Sequence, residues 1–123
     1  MAEYSREDKI EAITGISNYD ENLLDAIPVL ARDLKNGKET LESELLGQVM
    51  QGINWTVEVL QQAMDVMNEK EKKLDKEVVN GALTELDRAY KLGEPIEIAR
   101  ALEGKMTDAL EMICEVGKQF EGE

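Results

Sequence analysis

Leu46, Met50, Ile53, Val57, Leu60, Met64 and Met67 follow one another in alternating steps of four and three residues. This spacing puts seven apolar side chains on one stripe of an α-helix, and such a stripe has to be packed against other elements. The pattern predicts a helix from about Thr40 to Glu71, on the order of 45 Å long at 1.5 Å per residue. Beside the stripe runs a second row of small or apolar positions: Leu45, Val49, Gly52, Thr56, Val59, Ala63 and Val66. Two adjacent seams imply neighbours on two sides, which a bundle provides and a two-stranded coiled coil does not. On this reading the helix is the spine of the fold.

The flanking segments carry the same periodicity. Ser5 and Asp8 match a capping box, and Ile10, Ile13 and Ile16 follow at helical spacing, so a short N-terminal helix is predicted from about Arg6 to Ile16. Gly15, Ser17 and Asn18 weaken it. Asn18 or Asp20 can cap a second helix carrying Leu23, Ile27, Leu30 and Leu34, which stops at Asn36 and Gly37. Pro28 predicts a kink near Leu24 and not a break, since the apolar spacing continues through it. After the spine, Asp75 caps a helix with Val79, Leu83, Leu86 and Tyr90 as its stripe, and Gly93 with Pro95 marks a stop and a restart. A last helix is predicted from Pro95 to about Phe120 along Ala99, Leu102, Met106, Ala109, Ile113, Val116 and Phe120, as the main partner of the spine. No strand signal competes. The expectation is an all-α, up-and-down bundle of four main helices with an additional short N-terminal helix, spanning residues 1–123 as one domain.

Charge narrows the partners. Asp and Glu number 27 against 14 Lys and Arg, a net charge of −13 that repels phosphate backbones and anionic headgroups. Nucleic acid and membrane are therefore not expected partners, and the lysines between Lys70 and Lys76 are interleaved with Glu69, Glu71, Asp75 and Glu77. A single cysteine, Cys114, forms no internal disulfide. With a polar Met1–Ile10 and no apolar run of spanning length, the expected location is cytoplasmic.

The absence of histidine excludes more chemistry than any residue present suggests. Histidine-activated nucleophiles, histidine-held haem, ordinary zinc sites and Glu-x-x-His di-iron bundles cannot be built. An all-carboxylate magnesium site survives this test, with Glu39 and Glu42, or Glu94 and Glu97, at the Glu-x-x-Glu spacing that shares a helix face. No Glu-x-x-Asp accompanies them, and a chain this acidic produces such pairs by chance. Gly-x-Gly and Gly-Lys-Ser/Thr are absent, so no phosphate loop is expected. Gly47, Gly52, Gly81, Gly104 and Gly117 fall inside helical patterns, which predicts close helix approach. Cys114 reads as a buried filler, and Met50, Met64, Met67 and Met106 as core. No catalytic residue, cofactor or metal site is assigned.

Trp55 differs in kind. It falls at the edge of the second seam, flanked by Gln48, Gln51, Glu58 and Gln62. Either the N-terminal helix covers it, or it is a partly exposed aromatic of the sort that anchors interfaces. Trp55, Gln48, Gln51 and Gln62 are the candidate partner surface. The expected role is a protein-interaction module, adaptor or export-chaperone-like, that binds a partner helix or peptide. In size and helix content the chain is similar to small helical chaperones of flagellar and type III export, with no motif of theirs matched. The alternatives are a magnesium-dependent all-carboxylate hydrolase and a homo-oligomeric structural protein whose seams are completed by a second copy.

Overall fold

The computed structural model describes residues 4–123. Residues 1–3, the start of the polar N-terminal stretch, lie outside the described residues. The chain forms α1 (Arg6–Lys35), α2 (Glu44–Met67), α3 (Lys76–Leu92), α4 (Pro95–Ala101) and α5 (Thr107–Lys118), with a wide helical turn at Leu102–Met106 joining the last two. Among the described residues there is no strand, and the fold is all-α. None of the described helices is long and apolar enough to cross a membrane.

The largest departure from the sequence reading is at the N-terminus. The short helix and its successor are one continuous helix, α1, which passes through Gly15, Ser17, Asn18 and Asp20. Its start is the expected capping box: the Asp8 amide donates to Ser5 Oγ at 3.0 Å, and the Ser5 amide donates to Asp8 at 3.3 Å. Pro28 sits inside α1 without ending it. The residues that should have weakened the helix serve as contact points. Small side chains let other elements come close, and that packing outweighs a propensity cost of about 1 kcal/mol for a glycine.

α1 is also the spine, in place of α2. It lies against α2 on one side and against α4, the wide turn and α5 on the other, whereas α3 packs on α4, the turn and α5. Arg6 pairs with Glu69 while Tyr19 lies on Gly52, so α1 and α2 run in opposite directions. α2 is shorter than predicted at both ends. Ser43 caps it by accepting from the Leu46 amide at 3.2 Å, and Asn68 ends it, its side chain accepting from the Leu74 amide at 2.6 Å. Thr40 and Glu71 therefore fall in connections.

The expected single helix from Pro95 to Phe120 is interrupted. At Gly104 the backbone leaves helical geometry (φ −91°, ψ −106°), and the Thr107 hydroxyl donates to the Leu102 carbonyl at 2.6 Å across the widened turn. Phe120 lies just past α5 and is buried, with Lys70 Nζ 4.8 Å from its ring centroid. The core gathers Ile13, Ile16, Ile27 and Leu30 of α1, Leu46, Ile53 and Met67 of α2, and Ile98, Leu102 and Leu110 of the C-terminal half.

Candidate functional site

The seam between α1 and α2 is built on glycine. An added Cβ at Gly52 would stand 2.5 Å from Tyr19 Cε1, so the missing side chain is what allows the tyrosine ring to lie on α2. The same ring meets Trp55 edge to face, with centroids 5.3 Å apart and planes at 82°. A Cβ at Gly15 would touch the far edge of the indole at 3.7 Å. Trp55 is thus held by α1 from one side and still leaves 41% of its surface in solvent. Both expectations for this residue are partly met: the N-terminal part of α1 backs the ring and does not cover it.

In front of the indole is a groove of about 450 Å³ between the first turns of α1 and the second half of α2. Ala12, Gly15, Val59 and Ala63 form its floor, Trp55 and Tyr4 are its aromatic walls, and Asp8, Lys9, Glu11 and Gln62 stand at its edges. Tyr4 is 54% exposed. The one lysine of the groove is engaged, since Lys9 Nζ reaches both carboxylate oxygens of Asp65 at 3.1 and 3.3 Å. Lys9 in turn holds the Asp65 carboxyl below its ordinary range. Asp8 is occupied at the helix cap, and among the described residues Glu11 and Glu58 have no basic partner within ion-pair distance.

Of the four residues singled out in sequence, the structure brings Trp55 and Gln62 together in the groove. Gln48 and Gln51 are exposed on α2 but do not line it. Sequence reasoning missed the α1 half of the site: Tyr4, Glu11, Ala12, Gly15 and Tyr19. The capping box places the first turn of α1, but nothing local says that its outer face lies beside Trp55.

Directly beneath Tyr19 is a polar cluster in the core. Asp20, read in sequence as a helix cap, has no exposed surface in the middle of α1. Its Oδ1 lies 2.7 Å from Thr56 Oγ1, which is also 3.0 Å from the Gly52 carbonyl, and its Oδ2 has no hydrogen-bond partner. The threonine has one proton and two acceptors to serve. A protonated Asp20 resolves this by donating to Thr56, which then donates to Gly52. Burial raises the Asp20 carboxyl to about 7 against the opposing pull of the Thr56 hydrogen bond.

On the opposite side of α1, Ser17 Oγ donates to the Cys114 carbonyl at 3.4 Å and Cys114 Sγ donates to the Ser17 carbonyl at 3.5 Å. Ser17 fits because residue 117 is glycine; a Cβ there would lie 2.6 Å from Ser17 Cβ. Cys114 is buried as expected. Burial, then the negative charges of Asp20 and Glu21, push its thiol up to about 11. Of the five helical glycines, only Gly52 and Gly117 mark close approaches, and Gly47, Gly81 and Gly104 face open space.

The Glu-x-x-Glu pairs do not take the arrangement the magnesium alternative requires. Glu39 and Glu42 lie in the α1–α2 connection and not on a helix face, while Glu94 precedes α4 and Glu97 pairs with Arg100 at 2.8 Å. Among the described residues no three Cys, Asp or Glu side chains converge as metal ligands. A second cleft, about 330 Å³, separates α2 from α3 along Val57, Leu60, Met64, Val79 and Leu83, so Met64 is half-buried at a cleft wall rather than enclosed.

No curated protein and no solved structure matches the chain. Residues 11–116, from the rim of the groove at Glu11 to the last turn of α5, match the family described as a domain of unknown function (DUF8042), and the chain belongs to that family.

Proposed function

We propose that this protein is a cytoplasmic protein-interaction module, of the adaptor or export-chaperone kind, and that the Trp55 groove seats a helix or peptide segment of a partner. The four helical units, counting α4 and α5 as one, then act as an up-and-down bundle that holds α1 and α2 as a rigid pair. The observation that carries this reading is the state of Trp55. Its ring is fixed in orientation by Tyr19 and Gly15 and yet is 41% exposed over an apolar floor. An aromatic already immobilised loses little entropy when a partner covers it, which is the property of an interface anchor. The volume of the groove falls in the range that buries a few side chains. No cofactor and no catalytic step are part of this proposal.

The test is a quantitative pull-down from the native host with the wild-type chain and Trp55→Ala as parallel baits. A protein retained by the first and depleted at least tenfold by the second supports the groove. Recovery of the same proteins by both, or of the bait alone, would refute it. A second copy is the competing occupant, and sedimentation of the wild-type chain at micromolar concentration distinguishes it by mass.

A further inference from the structure

We infer that the segment received by the Trp55 groove is cationic, with Lys or Arg residues flanking an apolar residue that sits on the indole. This rests on the groove being the interaction site and adds the chemistry of the occupant. Three observations support it. The only cation in the groove, Lys9, is already bound by Asp65, so the groove has no free positive charge for an acidic ligand. Glu11 on the α1 rim and Glu58, one helical turn beyond Trp55 on α2, stand without basic partners among the described residues, and Asp8 adds its charge at the cap. A segment lying across the indole therefore has carboxylates on both sides, with the exposed ring face as a further seat for a guanidinium or ammonium group.

The same charges weigh against a second copy as the occupant. Each chain carries a net charge of −13, and self-association through this face would bring Asp8, Glu11 and Glu58 of two molecules together. A neutral or acidic peptide would leave the rim acids unpaired or opposed. A basic amphipathic segment satisfies them and still covers Ala12, Val59 and Ala63.

The experiment places a photo-crosslinking residue at Gln62 in the full chain, with a control at exposed Glu42, and sequences the host segments captured in cells. The segment specific to position 62 is then synthesised and titrated against Trp55 emission, which is unambiguous because the chain has one tryptophan. The expected segment carries net positive charge. Its affinity should fall on the order of thirtyfold with Trp55→Phe or Trp55→Ala read by a labelled peptide, by about five- to tenfold with Glu11→Lys, and further as salt rises. Glu11→Lys changes an exposed residue and leaves the fold intact, so its effect reads charge alone. A captured segment that is neutral or acidic, or binding indifferent to Glu11→Lys and to salt, overturns the cationic assignment and leaves the groove as a binding site. Absence of any segment specific to position 62 overturns both.

Discussion

Replacing Asp20 by asparagine should make the stability of the protein respond differently to pH, by an amount set by burial. The folded chain holds the Asp20 proton near pH 7, against an ordinary value of 3.8, so the proton favours the folded state. Below about pH 4 there is no cost. As pH rises the unfolded chain ionises first, and the folded state loses about 1.4 kcal/mol per pH unit until its own carboxyl ionises near pH 7; above that the loss is constant at about 4 kcal/mol. Between pH 4.5 and 8.5 about 3 kcal/mol of this is accessible to measurement, a large share of the 5–15 kcal/mol typical of a domain.

Asparagine keeps the shape and removes the titration. Its amide N–H group at the Oδ2 position, where no partner exists, costs about 1–3 kcal/mol at every pH. The variant should therefore be the less stable protein at pH 4.5 and the more stable one at pH 8.5. Urea unfolding followed by circular dichroism at five pH values gives both curves, and subtracting one from the other cancels the titration of the remaining acids. Parallel curves would refute the reasoning, because they would mean that Asp20 ionises with an ordinary carboxyl value and is hydrated in the folded state.

Gly117→Ala should destabilise by about 1–3 kcal/mol in urea melts, since the new methyl meets Ser17 Cβ at 2.6 Å near the backbone of α1, whereas Gly47→Ala, in open space on α2, should stabilise by up to about 1 kcal/mol. Equal effects at the two sites would deny the close α1–α5 approach. Cys114 should react with a disulfide reagent at pH 8 orders of magnitude more slowly in the folded protein than in urea, given its burial and a thiol raised to about 11; a rate equal to that of a free thiol contradicts the packing. Millimolar magnesium should leave the Tm unchanged beyond the effect of ionic strength matched with sodium chloride, and a specific rise would revive the carboxylate-hydrolase alternative.

What the sequence disclosed and what it concealed follow from the range of the interactions involved. The stripes on α2, α3 and α5 are local patterns, each satisfied by burying one face, and they located those helices and most of the core. Capping at Ser5 and Asp75 is likewise local and was legible. The continuity of α1 was not, because Gly15 and Ser17 look like helix weakeners until Trp55 and Gly117 are placed against them. Asp20 was mistaken for a cap since its partner Thr56 lies on another helix, and a carboxyl flanked by polar residues gives no sign of burial. Trp55 was visible as an oddity at the seam edge. Which of its neighbours would share the groove depended on the antiparallel alignment of α1, and so Gln62 joins it while Gln48 and Gln51 do not.

The wide turn at Leu102–Met106 acts as a phase adjuster. A regular helix advances about 100° per residue, so one residue accommodated in a broadened turn rotates everything after it by that angle relative to everything before. Ile98 and Ala99 upstream, and Cys114 and Gly117 downstream, are all buried only because this offset is present. Deleting Gly104 would restore an uninterrupted helix that is locally more regular and globally out of step, turning Cys114 and Gly117 away from Ser17. The C-terminal half of the fold is therefore tuned by length as much as by composition, and a one-residue deletion in this turn should be more damaging than many substitutions within the helices on either side.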